Sequence, residues 1–124
     1  MKKLFIALAV CLVAAPAFAR PATTAVGPYA VETRVTEMGG TLTVRGTVSG
    51  GGDCDRMLIS VQLADSRSGQ AAAINADLDR YRGHRGRFDG DARVGNAGLT
   101  DWYIYDIAIQ CINKGVATRY SANP

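Results

Sequence analysis

Apolar residues fall on every second position through much of this chain, the period at which a strand turns its side chains to alternate faces. In residues 41–49, Leu42, Val44 and Val48 share one face, opposed by Thr41, Thr43, Arg45, Thr47 and Ser49. Gly46 interrupts the apolar side, as a bulge or a point of close packing. Residues 57–63 align Met57, Ile59, Val61 and Leu63 opposite Ser60 and Gln62. Residues 70–79 set Ala72, Ile74, Ala76 and Leu78 against Asn75, Asp77 and Asp79, and residues 87–94 set Phe88, Ala92 and Val94 against Arg87, Asp89, Asp91 and Arg93. Residues 102–112 are the most apolar stretch, 29–37 read as the first strand and 116–120 as a short last one. Only 70–78, with its alanines, also suits a helix.

Turn-forming clusters separate these segments at fairly even spacing: Gly39-Gly40, the glycine run at 50–53, Ser66 to Gly69, Gly95 to Gly98, and Asn113-Lys114-Gly115. Seven short strands in about 105 residues predict an all-β chain. The expected architecture is an immunoglobulin-like β-sandwich of about seven antiparallel strands.

The opening stretch reads differently. Met1-Lys2-Lys3 is basic, an apolar run of about 12 residues follows, and Ala17 and Ala19 offer the small residues that signal peptidase accepts. Residues 1–19 are therefore expected to be a secretory signal peptide. At ~1.5 Å per residue the run is too short to cross a hydrocarbon core of about 30 Å. Lipidation at Cys11 is disfavoured by the bulky Val10 before it. Residues 20–25, small and polar, are expected to be a flexible start, and 26–124 the sandwich domain. Loss of Lys2 and Lys3 takes the 14 basic residues to 12 against 11 acidic ones, a net charge near +1. That balance gives no general case for a nucleic-acid partner. Eleven of the remaining cations are Arg, which suits bidentate anion contacts, although codon bias in a GC-rich genome is the preferred explanation.

With Cys11 removed, Cys54 and Cys111 remain. Cys-x-x-Cys spacing is absent and His84 is the only histidine, so a redox motif and a zinc site are both disfavoured. A paired set in an exported chain predicts a disulfide. It closes a loop of roughly 56 residues, a constraint of roughly 4 kcal/mol in the chain-entropy model. In a Greek-key sandwich the third and sixth strands, here 57–65 and 102–112, are antiparallel neighbours, which brings both cysteines to one end of a sheet. Two registers remain open. If Cys54 opposes Cys111, then Trp102, Ile104 and Asp106 share the face of Met57. If Cys54 sits in the glycine loop, Tyr103, Tyr105, Ile107 and Ile109 take the core, which keeps Asp106 out of it and is preferred.

Residues 41–109 then resemble a family. Leu42-Thr43-Val44-Arg45-Gly46-Thr47-Val48, a glycine loop, and Val61-Gln62-Leu63-Ala64-Asp65 followed by Gly69 are similar to the FxLYD type of secreted bacterial β-sandwich domain. Val61 stands where that family has Phe and Ala64 where it has Tyr, and its later Pro-Gly is absent around 82–86. The resemblance implies a fold and an extracytoplasmic setting, and carries over no catalytic residues.

Candidate chemistry concentrates in residues 79–93. Arg80, Arg82, His84, Arg85 and Arg87 interleave with Tyr81 and Phe88 among glycines, a composition suited to phosphate or carboxylate on a glycan or lipid. The bland alternative is a solvated turn neutralised by Asp77, Asp79, Asp89 and Asp91. Asp53, Asp55, Asp89 and Asp91 lack the spacing of a calcium loop. His84 has no nucleophile motif beside it. No cofactor, metal or catalytic residue is expected. A further surface, Leu58 with Trp102 and Ile104, is a candidate protein-contact patch if 102–105 turns that face outward. These features predict an exported monomer, periplasmic before extracellular, with no membrane span once the signal is removed. Its expected role is a non-catalytic interaction module of the cell envelope with an envelope protein as partner. The runner-up is binding of an anionic glycan or lipid by the 80–87 loop, and the third reading is a cell-wall hydrolase or an inhibitor of one.

Overall fold

The computed structural model describes residues 22–95 and 100–122. The expected signal peptide and most of the 95–98 turn lie outside those residues. Eight strands follow in order: β1 (Ala22–Val26), β2 (Tyr29–Met38), β3 (Thr41–Gly50), β4 (Cys54–Asp65), β5 (Ala71–Tyr81), β6 (Arg85–Arg93), β7 (Trp102–Asn113) and β8 (Val116–Ser121). They form two four-stranded antiparallel sheets, β1-β2-β3-β6 and β5-β4-β7-β8. The chain changes sheet after β3, after β5 and again after β6. This is the expected immunoglobulin-like sandwich, with 70–78 a strand and the third and sixth expected strands (β4 and β7) paired along their length. One strand is additional. Residues 20–25 were expected to be flexible, yet Ala22–Val26 pair with β2 from Ala22↔Thr33 to Val26↔Tyr29, and Val26 is fully buried. Five small residues give no long apolar pattern, and only the hairpin through Gly27 brings them onto the sheet.

Between the sheets lies one core. Val31, Leu42, Val44 and Val48 from the first sheet meet Met57, Ile59, Val61, Leu63, Ile74, Ile107 and Ile109 from the second. These are the alternating positions read from the sequence, and burying them drives the two layers together. Gly46 is explained by packing, because the ladder runs through Thr33↔Gly46↔Phe88 without a shift. A Cβ there would lie 2.5 Å from the Phe88 ring and 2.7 Å from the Glu32 carbonyl oxygen. Two hairpins turn on pairs of left-handed residues, Gly39-Gly40 (φ 59° and 82°) and Lys114-Gly115 (φ 52° and 79°). That geometry matches the twist of the strands it joins.

Cys54 and Cys111 form the disulfide, their Cα atoms 5.3 Å apart. Neither expected register holds along all of β7. Cys54 begins β4 opposite Tyr81, Cys111 faces Met57, and the bridge runs diagonally across the ladder. Around it the Tyr29 hydroxyl donates to the Gly52 carbonyl (3.1 Å) and lies 3.3 Å from Cys54 Sγ, while the Tyr81 hydroxyl donates to Gly50 (2.7 Å). The Tyr29 ring packs edge-on against those of Tyr81 and Tyr120, at 5.8 and 5.6 Å. Burial raises both the Tyr29 and the Tyr81 phenol above the usual tyrosine value. The glycine run at 50–52 is thus held by two tyrosines and the bridge. Serine replacing both Cys54 and Cys111 is expected to lower the unfolding free energy by roughly 2–5 kcal/mol, measured by urea denaturation.

Asp65 closes the opposite end of β4. Its buried carboxylate accepts from the Ser68 hydroxyl, from the backbone N–H of Asp101 (2.7 Å), and from those of Arg67 and Ser68 (3.2 Å each). One side chain therefore ties the β4–β5 turn to the segment entering β7. Burial raises the Asp65 pKa, but these donors outweigh it and hold it at about 2 against an ordinary 3.8. A depressed folded-state pKa stabilises the fold above pH ~4, and that stabilisation is lost as the pH falls toward 2. Asp65→Asn is expected to lower the melting temperature at pH 7 and to flatten its decline between about pH 4 and pH 2. A wild-type slope retained in the variant would refute this role.

Candidate functional site

Among the described residues the interior is apolar apart from Thr33 and Asp65, so the accessible polar side chains lie on the two outer sheet faces and the turns between them. The arginine-rich segment falls across all three. Arg80 adopts a left-handed conformation (φ 55°) that changes the facing of β5 near its end, so that Leu78 and Tyr81 both turn inward. Arg82, Gly83 and His84 make the turn, with Arg82 Nη1 donating to the Tyr81 carbonyl at 3.5 Å. Arg85 and Arg87 then lie on β6, alternating with inward Gly86 and Phe88. All five candidates are exposed, and Arg87 is the one of them that lines a trench on the first sheet.

Arg87 acquires neighbours there from other strands. On the outer face of the first sheet, Arg34, Arg45 and Asp89 stand side by side in one row, and Glu32, Thr47 and Arg87 in the next row but one. The row between them, Thr33, Gly46 and Phe88, points inward, so its backbone floors an open trench of about 470 Å³. Arg34, Arg45 and Arg87 make no side-chain hydrogen bond or ion pair among the described residues, although Glu32 and Asp89 flank them. The alternation of residues 41–49 puts Arg45 outward, and no pattern in the sequence singles out Arg34. Their proximity to Arg87 arises from pairing between strands far apart in the chain, for which no local signal exists.

The outer face of the second sheet is built differently. Arg56 grips Asp77 through Nε (3.1 and 3.2 Å) and Nη2 (2.6 Å), and that hydrogen-bonded pairing lowers the Asp77 pKa. Farther along come Ser60, Gln62 and Ala64 on β4, with Ala71, Ala73 and Asn75 on β5. Here the candidate contact patch needs correction. Leu58 lies on this outer face, half-buried, but Trp102 and Ile104 pack against the core from the other side. The cause is a shift in register. Gln62 faces Asp106 while Leu63 faces Ile104, so Tyr105 is an extra residue in β7. A bulge of this kind re-aims every side chain beyond it. Ile107, Ile109 and Cys111 point inward on one side of it and Trp102 and Ile104 on the other. Tyr103 and Tyr105 remain outside, 50% and 45% exposed beside the alanines. The Tyr105 hydroxyl lies 3.5 Å from Gln62 Oε1, and Asp106 accepts from the Ser121 hydroxyl at 2.9 Å.

Among the described residues no group of three or more His, Cys, Asp or Glu side chains is placed to hold a metal, and no helix is long and apolar enough to cross a membrane. The chain matches no protein-family model, no curated protein and no solved structure. The fold and its two contrasting faces define a class, a disulfide-stapled β-sandwich carrying its distinctive side chains on its sheets. The bulge makes a sharp prediction. Trp102→Ala is expected to cost about 2 kcal/mol or more as a core truncation, whereas Tyr103→Ala stays within about 0.5 kcal/mol as a surface change. Equal costs in chemical denaturation would contradict the observed facing.

Proposed function

We propose that this chain is an exported, non-catalytic interaction module of the cell envelope, and that it meets a protein partner through the outer face of its second sheet. The observation that carries the reading is the outward placement of Tyr103 and Tyr105 near Ala64, Ala71, Ala73 and Gln62, on the part of that face away from the Arg56–Asp77 pair. Tyrosine supplies contact area with little rotamer entropy to lose and a hydroxyl that remains satisfied in a wet interface. Small flat neighbours let a partner approach both rings. The disulfide is compatible with export into an oxidising compartment, the periplasm in the first instance.

A second reading, recognition of anions by the basic residues, is favoured by a separate observation, the trench that gathers Arg87 with Arg34 and Arg45. Cross-linking in the native envelope followed by purification tests the first reading. The wild-type chain should recover one reproducible protein partner. The double variant Tyr103→Ser, Tyr105→Ser should recover at least about tenfold less of it, the loss expected for an aromatic contact of roughly 1.4 kcal/mol or more. Undiminished recovery with the variant would reject this face. Recovery of glycan or lipid alone would reject a protein partner.

A further inference from the structure

The trench on the first sheet has a charge layout that ordinary surface solvation leaves unexplained. Arg34 and Arg45 are directly opposed on adjacent strands, where side chains stand about 4.5–5.5 Å apart at Cβ and like charges destabilise the pair. Arg45 has Asp89 on its other side and Arg87 lies in line with Thr47 and Glu32. Even so, none of the three guanidinium groups is paired among the described residues. Elsewhere on this protein Arg56 takes a bidentate grip on Asp77, its diagonal neighbour on the adjacent strand, so the scaffold can form such pairs. In the trench the forks have no such partner among the described residues.

We propose that this trench is a binding site for a carboxylated glycan, a chain of uronic-acid type, distinct from the tyrosine face and independent of it. Guanidinium forks match carboxylate geometry and donate two parallel hydrogen bonds to it. Arg34 and Arg45 together offer one such anchor, and Arg87 across the trench offers a second. Beside these anchors, Glu32 and Thr47 in the Arg87 row and Asp89 in the other row can accept hydrogen bonds from hydroxyl groups, as a sugar ring requires. The two acids also select the ligand. They repel a polymer with charge on every unit, such as polyphosphate or a nucleic-acid backbone, and tolerate one whose carboxylates are separated by hydroxyl-rich rings. The trench volume of about 470 Å³ lies within the range of about 300–1,000 Å³ usual for ligand sites. Its floor is backbone on three paired strands, so the points from which the wall side chains spring are fixed before any ligand arrives.

Calorimetric titration of the purified protein with oligogalacturonate tests this, with its methyl-esterified form and polyphosphate as comparators. Oligogalacturonate is expected to bind with an affinity that falls as salt rises, and the ester, which keeps the hydroxyl groups but lacks the charge, is expected not to bind. Arg34→Gln combined with Arg87→Gln should weaken binding at least ~10-fold, the size of a lost charge-assisted hydrogen bond. Arg80→Gln with Arg82→Gln, outside the trench, should leave it unchanged. Glu32→Gln with Asp89→Asn separates this site from a general anion patch: glycan binding should weaken while polyphosphate binding strengthens. The same titration with Tyr103→Ser, Tyr105→Ser should match wild type, so failure of the protein-partner reading leaves this test standing. Thermal unfolding without ligand checks the fold of each variant, and Arg34→Gln should melt no lower than wild type because a like-charge contact is relieved. No binding of oligogalacturonate, equal binding of the ester or of polyphosphate, or indifference to Arg34 and Arg87 would each overturn the proposal.

Discussion

A pleated strand buries only alternate side chains, and β7 carries apolar or aromatic residues on both parities. Trp102 and Ile104 lie on one parity, Tyr103, Tyr105, Ile107, Ile109 and Cys111 on the other. No unbroken register can take all the strongly apolar ones inside. The extra residue at Tyr105 resolves the conflict by resetting the parity once, opposite Gln62 and Leu63. Ile107, Ile109 and the disulfide cysteine then share the core with Trp102 and Ile104, while Tyr103 and the bulge residue Tyr105 are left on the outer face, as are Ala108 and Ile112 beyond it. The second sheet's share of the core and the character of its outer face follow from that single insertion, because β4 and β7 are the two inner strands of that sheet.

The same insertion explains which parts of the molecule could be read from the sequence. Strands whose apolar residues keep one parity, such as β3 with Leu42, Val44 and Val48, announced their core faces. The pairing of β4 with β7 and the Cys54–Cys111 bridge followed from strand order and cysteine number. Reading β7 required choosing between two continuous registers, and each is correct for half of the strand. Arg80 marks a second place where parity changes, through a left-handed backbone conformation that a non-glycine residue gives no warning of. Ala22–Val26 escaped notice for the opposite reason: its side chains are too small to form a pattern, and its strand state comes from the edge of β2.

The candidate sites divide along the same line. A run of arginines adjacent in sequence drew attention to residues 80–87, yet an alternating strand sends neighbours to opposite faces and a turn carries others away. What lies together on a sheet is set by cross-strand register, so Arg87 shares a surface with Arg34 and Arg45 and not with Arg80 or Arg82. A sequence of period-two strands therefore locates its core far better than its sites. The core depends on each strand's own alternation, the site on how several strands align.

The charges show a corresponding division of labour. Asp65 is enclosed by four donors and locks two segments at one end of β4, while Arg56 and Asp77 hold each other across the β4–β5 ladder. These groups are satisfied within the fold, and each has a geometric partner that the backbone places for it. Arg34, Arg45 and Arg87 are placed by the same kind of ladder but against one another, with acids near and ungripped. A β-sandwich fixes such positions at no cost in loop ordering, because strands already aligned by their core carry the outer rows with them. The backbone positions of these guanidinium groups are thus settled before a ligand binds, and what remains to be ordered is the rotamers of three exposed arginines, a cost of about 0.5–1.5 kcal/mol for each side chain that the charge contacts must exceed.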